Sequence, residues 1–417
     1  MEDDVRTSSL FKRLLGVEKV VIEGVDFEDD QLVVRVRLHK RQQRRCSRCG
    51  RRCGGHDGGR GRRRWRVMDF GTVRVWLSAE APRVRCPLHG VVVARVTWAR
   101  AGSGFTHDFE DQVAWLAANT SQSTVGRLMR ISWRTVGRCL RRVVEERRAG
   151  VDLLDGLSRI GIDETSYRRG HRYLTVVVCH DTGRLVWAHP GNSKATLEMF
   201  FAELGQERQA RITHVTCDGA EWIHDTVRSH CEGAEVCLDA FHIVSWVNDA
   251  VDSVRRELWN EQRKSGDKQL ASQVKGMRWV LLKNPENLTD RQSDSLARLE
   301  ADNSDLYRAY LLKEQLRLLL RQPTEAAIPL LDGWVEWATT CGLAAFEKVA
   351  KTIVRQRAAI EAMLRHGLTN GRVESVNAKI RLIQQRAYGF HDPHALIALA
   401  QLTLSGLCPP LPGRGPA

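Results

Sequence analysis

The chain has 417 residues, of which 42% are hydrophobic, 6% aromatic and 27% charged, and its net charge is +14. This is a globular composition at a length that calls for two or three domains; no apolar run approaches ~18 residues, which excludes a membrane-spanning helix. The positive excess is local: residues 1–150 carry 31 Lys and Arg against 17 Asp and Glu, whereas residues 151–417 carry 33 of each. A basic first third joined to a neutral remainder suggests that one part grips a polyanion while the other does different work; a solubility role for the charge is the alternative.

The first ten residues, MEDDVRTSSL, are acidic and lack the apolar stretch of a secretory signal. A cytoplasmic protein is expected, nucleoid-associated if the polyanion is DNA. Residues 19–38 alternate apolar and polar positions and read as two short strands. The Arg/Gly-rich stretch that follows is poor in core residues: from Arg35 to Arg66 there are fourteen basic residues and one acid, Asp57. Residues 72–98 read as strands again, interrupted by a knuckle at Cys86-Pro87-Leu88-His89.

Cys46-x2-Cys49 and Cys86-x2-His89 are two knuckles with structural-zinc spacing. A small arginine-rich module builds little core, and a bound ion would substitute for it. The knuckles stand 37 residues apart, and Cys53 and His56 are rival ligands. The other cysteines of the eleven read as scattered small hydrophobes, because disulfides are not expected in this compartment. Arg62, Arg63 and Arg64 are expected to meet phosphates rather than bases.

From Asp108 the pattern turns helical. Phe109–Ala118 reads as a first helix and Ser123–Met129 as a second. Ile131-Ser132 is the turn, with Ser132 as N-cap, and Trp133–Arg148 is a third helix carrying Arg134, Arg138, Arg141 and Arg142. This order fits a helix-turn-helix whose later helix enters a DNA major groove; a helical bundle linking two domains is the alternative. Gly150–Gly156 reads as a linker.

Three strands are expected over residues 159–190, with a hairpin turn at Asp181-Thr182-Gly183. A helix capped by Ser193 follows, then a strand through ITHVTCD, a helix from Trp222 to His230, and a fifth strand ending at Asp239. This is the order of a ribonuclease H-like domain. Residues 241–366 are helical in pattern and look inserted, and a last long helix starts near Gly371.

Asp163 and Asp218 end hydrophobic strands in this reading, and Glu374 opens the last helix. Two strand-end carboxylates plus one helical glutamate make an all-oxygen site of the kind hard cations prefer, Mg2+ or Mn2+. Two such ions could activate a water or a 3′-hydroxyl and stabilise the leaving oxygen. Asp239 and His242 are possible auxiliary groups beside them. Asn370, Arg372, Lys379 and Arg381 cluster near the glutamate as a local positive patch that would guide a DNA strand; solvated helix charges are the alternative.

The chain resembles the DDE insertion-sequence transposases of the ISL-three type. The resemblance is carried by GIDETSYRRGHRYLTVVVCHDTGRLVW at 161–187, VTCDGAEWI at 215–223, LDAFHIVSWVNDAVDSVRRELWN at 238–260, LYRAYLLKEQLR at 306–317 and NGRVESVNAKIRLIQQRAYGF at 370–390. It implies that Asp163, Asp218 and Glu374 are the catalytic metal-binding acids and that Cys46, Cys49, Cys86 and His89 form the family's N-terminal zinc finger. The last of these ligands is commonly a cysteine in the family. The expected architecture is a multidomain α/β protein. A zinc-binding module spans 1–100 and a helix-turn-helix 101–150. A ribonuclease H-like domain covers 155–245 and 367–405, with a helical insertion at 246–366 and a disordered tail at 406–417. The implied activity is metal-dependent cleavage and strand transfer at the terminal inverted repeats of an insertion sequence. The implied partners are double-stranded transposon-end and target DNA and at least one further copy of the chain. A domesticated DNA-binding protein, or a ribonuclease H-like nuclease without transposition, is the competing reading.

Overall fold

The computed structural model describes residues 7–301 and 305–414. They divide into two units, Met1–Asp152 with Leu382–Ala417, and Leu153–Arg381.

The first unit opens with helix α1 (Thr7–Leu14) and the hairpin of β1 (Val20–Glu28) and β2 (Gln31–Leu38). Its turn is Asp29-Asp30, both at positive φ, as a two-residue hairpin turn requires. Strands β3 (Gly54–Asp57), β4 (Arg62–Arg66), β5 (Val75–Glu80), β6 (Arg83–Cys86) and β7 (Gly90–Val93) follow. They make a four-stranded sheet, β1-β2-β5-β4, and a three-stranded one, β3-β6-β7. The core of the larger sheet is small: Val20, Val34, Val36, Trp65, Val75, Leu77 and Trp98, the two indoles edge to face at 5.4 Å.

Three helices come next: α2 (His107–Asn119), α3 (Gln122–Met129) and α4 (Trp133–Gly150). Each is capped by a hydroxyl that accepts a backbone N–H of the first turn, from Thr106, Ser121 and Ser132 respectively. The α3–α4 turn is tight. Arg130 takes a left-handed conformation, and a Cβ on Gly126 would stand 2.9 Å from the carbonyl oxygen of Ile131. Glu110 of α2 is fully buried. It accepts from Arg142 of α4, from Ser103 at 2.8 Å and from Arg100 at 3.4 Å, so one carboxylate ties two helices to the strand region. Removing one partner from such a buried network typically costs about 3–5 kcal/mol.

The second unit is built on a five-stranded sheet. Strands β8 (Arg159–Arg168), β9 (Arg172–Cys179) and β10 (Leu185–Pro190) are antiparallel neighbours. Helices α5 (Lys194–Leu204) and α6 (Gln206–Gln209), strand β11 (His214–Cys217), α7 (Glu221–His230) and strand β12 (Glu235–Leu238) complete the sheet region. The spatial order is β10-β9-β8-β11-β12, with β11 parallel to both β8 and β12. From Leu174 to Val178 β9 is buried at every residue, as a central strand covered on both faces must be.

From Ala240 the unit is helical: α8 (Ala240–Ser265), α9 (Lys268–Gly276), α10 (Arg278–Leu282), α11 (Asp290–Ala301), α12 (Asp305–Leu319), α13 (Thr324–Thr340), α14 (Ala344–Arg355) and α15 (Arg357–His366). Trp334 is wholly buried among them, and its indole N–H donates to Leu312 O at 2.8 Å. Helix α16 (Gly371–Arg386) then returns to the sheet, its residues through Arg381 counting with the second unit. Helix α17 (Pro393–Leu404) packs on α2 and α4 in the first unit. The segment expected to be a disordered tail departs from that expectation near its start: Leu407 and Pro409 are buried.

What seats α16 is a missing side chain. A Cβ on Gly161 of β8 would lie 2.3 Å from Val373 Cγ2, 2.8 Å from Thr216 Oγ1 and 2.9 Å from His180 Nε2. Only glycine lets α16 approach the strand this closely. Gly161→Ala is therefore expected to lower stability by ~1–3 kcal/mol, as overpacking of a filled site does. A thermal melt should show a fall of several degrees, partly recovered by adding Val373→Ala; an unchanged melt would count against the packing described.

Candidate active site and metal centre

The zinc candidates converge in the first unit. The β6–β7 turn closes on the pair Cys86↔Gly90, and Cys46 bridges to Ala94 alongside it. This brings the two knuckles together across 37 residues of sequence. Cys46 Sγ and Cys86 Sγ stand 3.7 and 3.6 Å from His89 Nδ1, and Cys49 Sγ stands 3.7 Å from Cys86 Sγ. A tetrahedral zinc ion with Zn–S ~2.3 Å and Zn–N ~2.1 Å has ligand edges of about 3.6–3.8 Å. The four ligand atoms thus already describe a zinc-sized tetrahedron. The Cys86 thiol is drawn down to about 7: burial opposes this, and the backbone N–H groups of Leu88 and His89 with the neighbouring thiols outweigh it. Cys53 turns its thiol to Arg51 O, and His56 faces Asp57; neither joins the four.

The expected DNA-contacting arginines fare differently from one another. On α4 the exposed face presents Trp133, Arg134, Arg138 and Arg141, with the Arg134 guanidinium over the Trp133 ring. Arg138 reaches Thr135, while Arg141 is paired with Asp392 at 3.2 Å. Arg62 is held by Glu23 and Ser78, and Arg64 by Glu28. Arg63 covers the Trp65 ring.

In the second unit β8 runs five residues beyond Asp163, so this aspartate does not end its strand as the pattern suggested. It stands where β8 loses a neighbour. The β8–β11 pairing stops at Gly161↔Thr216, and β8 continues with β9 alone. Asp218 lies two residues beyond Thr216, just past the end of β11, and the two carboxylates feel each other's charge. Burial raises the Asp163 carboxyl above the usual range, and Asp218 adds to this; the nearby His242 and a hydrogen bond from Asn377 work the other way. Asn377 Nδ2 donates to Asp163 Oδ2 at 2.8 Å, and its own Oδ1 is buried without a partner. Glu164, next in the strand, is pushed up to about 7 by burial first and then by Asp218 and Asp163, and its Oε1 is buried without a donor.

Glu374 sits one turn before Asn377 on α16, exposed. Among the described residues, no trio of ligand atoms within 4.8 Å of one another includes Asp163, Asp218 or Glu374. Arg372, Lys379 and Arg381 are exposed on the same helix, Arg372 reaching Asp181 O at 3.5 Å. Asp239 is buried and accepts from the backbone N–H of Asn370 at 3.3 Å.

The start of α16 is fixed by a network that no sequence pattern announced. Asn370 is buried, and its Oδ1 accepts from the Thr216 hydroxyl. Thr216 in turn receives from His180 Nε2 at 2.7 Å. Burial holds His180 down at about 4, so its imidazole is neutral and one ring nitrogen carries the donated hydrogen. The advance signal was a polar residue, His180 or Thr216, in or beside an apolar strand; Asn370 stands in a polar turn.

Three family models match this chain. A transposase model covers residues 160–400, a helix-turn-helix domain of transposase family ISL3 covers 94–144, and a zinc finger of the transposases of IS204, IS1001, IS1096 and IS1165 covers 42–89. The chain belongs to transposase family ISL3. The transposase for insertion sequence element IS1557 of Mycobacterium tuberculosis, in two strains, is 49% identical over 436 residues, 98% of each chain. The transposase for IS1001 of Bordetella parapertussis is 29% identical over 337 residues, 79% of this chain and 81% of that one. This DDE transposase is a metal-dependent DNA-cleaving enzyme, with zinc-ribbon and helix-turn-helix domains ahead of its catalytic region. Among the described residues no helix is long and apolar enough to cross a membrane.

The raised Glu164 makes the transposase sensitive to pH. Its folded-state pKa, about 7, exceeds its ordinary 4.5, so the fold prefers the protonated acid. That contribution is complete below about 4.5 and is lost as pH rises through about 7. Without added divalent cation, the melting temperature should fall between about pH 5 and pH 8, and Glu164→Gln should flatten the fall. Identical profiles for the two proteins would contradict the assignment.

Proposed function

We propose that this transposase binds the terminal inverted repeats of its insertion sequence, cleaves the strands there, and joins the freed 3′-ends to target DNA, with Asp163, Asp218 and Glu374 as catalytic acids. The sheet order β10-β9-β8-β11-β12 supports reading the second unit as a ribonuclease H-like domain, residues 155–245 and 367–405 with the helical stretch 246–366 inserted. The zinc module would span 1–100 and the helix-turn-helix 101–150. What supports the reading is that Asp163 stands where the β8–β11 pairing stops and Asp218 just past the end of β11, with a buried Glu164 oxygen and a buried Asn377 oxygen that have no donor.

These oxygens fit hard divalent cations, Mg2+ or Mn2+. When bound, such ions would supply Lewis acidity to the attacking and leaving oxygens. Asp163 and Asp218 would hold them from the sheet, and Glu374 from α16. Asn377 fixes Asp163 Oδ2. Asp239 anchors Asn370 and so the start of α16, and His242 stands near Asp163. In cleavage, water adds to phosphorus and the P–O3′ bond breaks, freeing a 3′-hydroxyl. In joining, that hydroxyl attacks a target phosphodiester and the target's own 3′-oxygen leaves. Arg372, Lys379 and Arg381 line the approach to Glu374 as phosphate contacts. Two copies acting on paired ends would complete the assembly. In the zinc ribbon, Cys46, Cys49, Cys86 and His89 hold a structural Zn2+.

Asp163→Asn, Asp218→Asn and Glu374→Gln should each cut strand cleavage at least about 100-fold while leaving end binding within about twofold in a gel-shift assay. Cleavage that survives any one of them removes that residue from the site. Arg134→Ala and Arg138→Ala should each weaken binding to the terminal repeat by about 1–3 kcal/mol if they read bases, or lower the salt slope by about one if they meet phosphates. Arg141→Ala, already paired with Asp392, should change less; equal effects would place Arg141 on the DNA as well.

A further inference from the structure

The second unit carries another set of metal-ligand side chains at the opposite ends of the strands that bear Asp218 and Asp239. His214 opens β11, Glu235 opens β12, and the two are register partners in the parallel pair. His366 ends α15, which packs on β12. One ligand atom from each lies within 4.8 Å of the other two. The His214 and His366 rings stand edge to face with centroids 4.3 Å apart. Strands β11 and β12 are four residues long, so roughly 13 Å of sheet separates this cluster from the catalytic acids.

His214 is oriented by a hydrogen bond at one ring nitrogen: its Nδ1 stands 2.9 Å from the Thr213 hydroxyl, which also reaches Ser158 O at 3.2 Å and Ser158 Oγ at 3.1 Å. The other ring nitrogen, Nε2, is buried and has no partner. An imidazole oriented by a hydrogen bond at one nitrogen, with the other left free, is how a metal-ligating histidine is held.

Glu235 is also prepared. Arg365 takes Oε2 at 3.0 Å, and Oε1 faces His366 Nε2 at 3.3 Å. Two light-atom ligands ~2.1 Å from a tetrahedral zinc ion lie about 3.4 Å apart, so this pair is already at ligand spacing. An ion pair between protonated His366 and Glu235 would explain that contact alone. It leaves the buried Nε2 of His214 unexplained.

We propose that His214, Glu235 and His366 form a second site for a transition metal of the zinc class, with two imidazoles, one carboxylate and a water-accessible fourth position. The ion clips the start of β11 and β12 to the end of α15. From His366 only three residues lead to Asn370, whose bonds to Thr216 and Asp239 seat α16 and with it Glu374. The clip therefore steadies the segment that delivers the catalytic glutamate, and its existence does not depend on the roles proposed for the acids.

The test is zinc stoichiometry of the full chain, loaded with Zn2+ alone, desalted, and measured by elemental analysis. Wild-type protein should hold two zinc ions per chain. His366→Ala and Glu235→Gln should hold one, and Cys49→Ser should keep the one at the new site. Added zinc should raise the melting temperature of Cys49→Ser, but not of a chain that also carries His366→Ala. One zinc per chain in both wild type and His366→Ala would overturn the proposal. So would two in both, which would put the second ion elsewhere. Circular dichroism of each variant checks that it is folded, and Glu235→Gln, which keeps the carboxylate's shape, decides the matter if His366→Ala is not.

Discussion

Everything in the catalytic unit turns on carboxylates held together where strand β11 ends. Burial and then the charge of Asp218 raise Glu164, Asp218 acts in the same direction on buried Asp163, and among the described residues no arginine or lysine donates to any of the three. Like charges at a half-buried sheet edge are unfavourable unless a cation or protons neutralise them. The surrounding structure keeps them there all the same. Gly161 admits α16, Asn377 pins Asp163, and the His180–Thr216–Asn370 chain sets where α16 begins.

The first unit answers the opposite electrostatic problem. It holds all the net positive charge with a small core, and much of its order comes from polar ties: the four-ligand tetrahedron at the ribbon, and the buried Glu110 that joins α2, α4 and Arg100. Several of its arginines are occupied by carboxylates of the same unit, Arg62 and Arg64 among them. Exposed pairs of this kind are worth only ~0–1 kcal/mol and exchange readily for phosphates. On α4, Arg134 over the Trp133 ring and Arg138 at the Thr135 hydroxyl have no carboxylate partner among the described residues and keep their charge free.

Much of this was legible in the residues. Periodicity gave the strands and the helical stretch after Asp239, Ser132 and Ser193 marked the starts of two helices, and knuckle spacing picked out four residues that the fold brings together. The strand-end rule failed at Asp163 because β8 outlasts its neighbour β11; what matters is where pairing stops, a property of two strands and not of one. The partners of Arg62, Arg64 and Arg141 were hidden for the same reason, since Glu23, Glu28 and Asp392 are distant in sequence and unmarked by pattern. Gly161 read as one residue of a strand, although its lack of a side chain seats a helix more than 200 residues away. The trio of His214, Glu235 and His366 has no spacing signature, because three separate elements supply it.

The claim that the acids touch the ions is tested most directly by changing the ligand atom and the metal together. Asp163→Cys, Asp218→Cys and Glu374→Cys replace a hard oxygen with a soft sulfur, which Mg2+ binds poorly and Mn2+ tolerates. Strand cleavage of a terminal-repeat duplex should disappear in Mg2+ for each variant and return at least in part in Mn2+. Cleavage that stays lost in both metals, or persists equally in both, would contradict direct coordination by that residue.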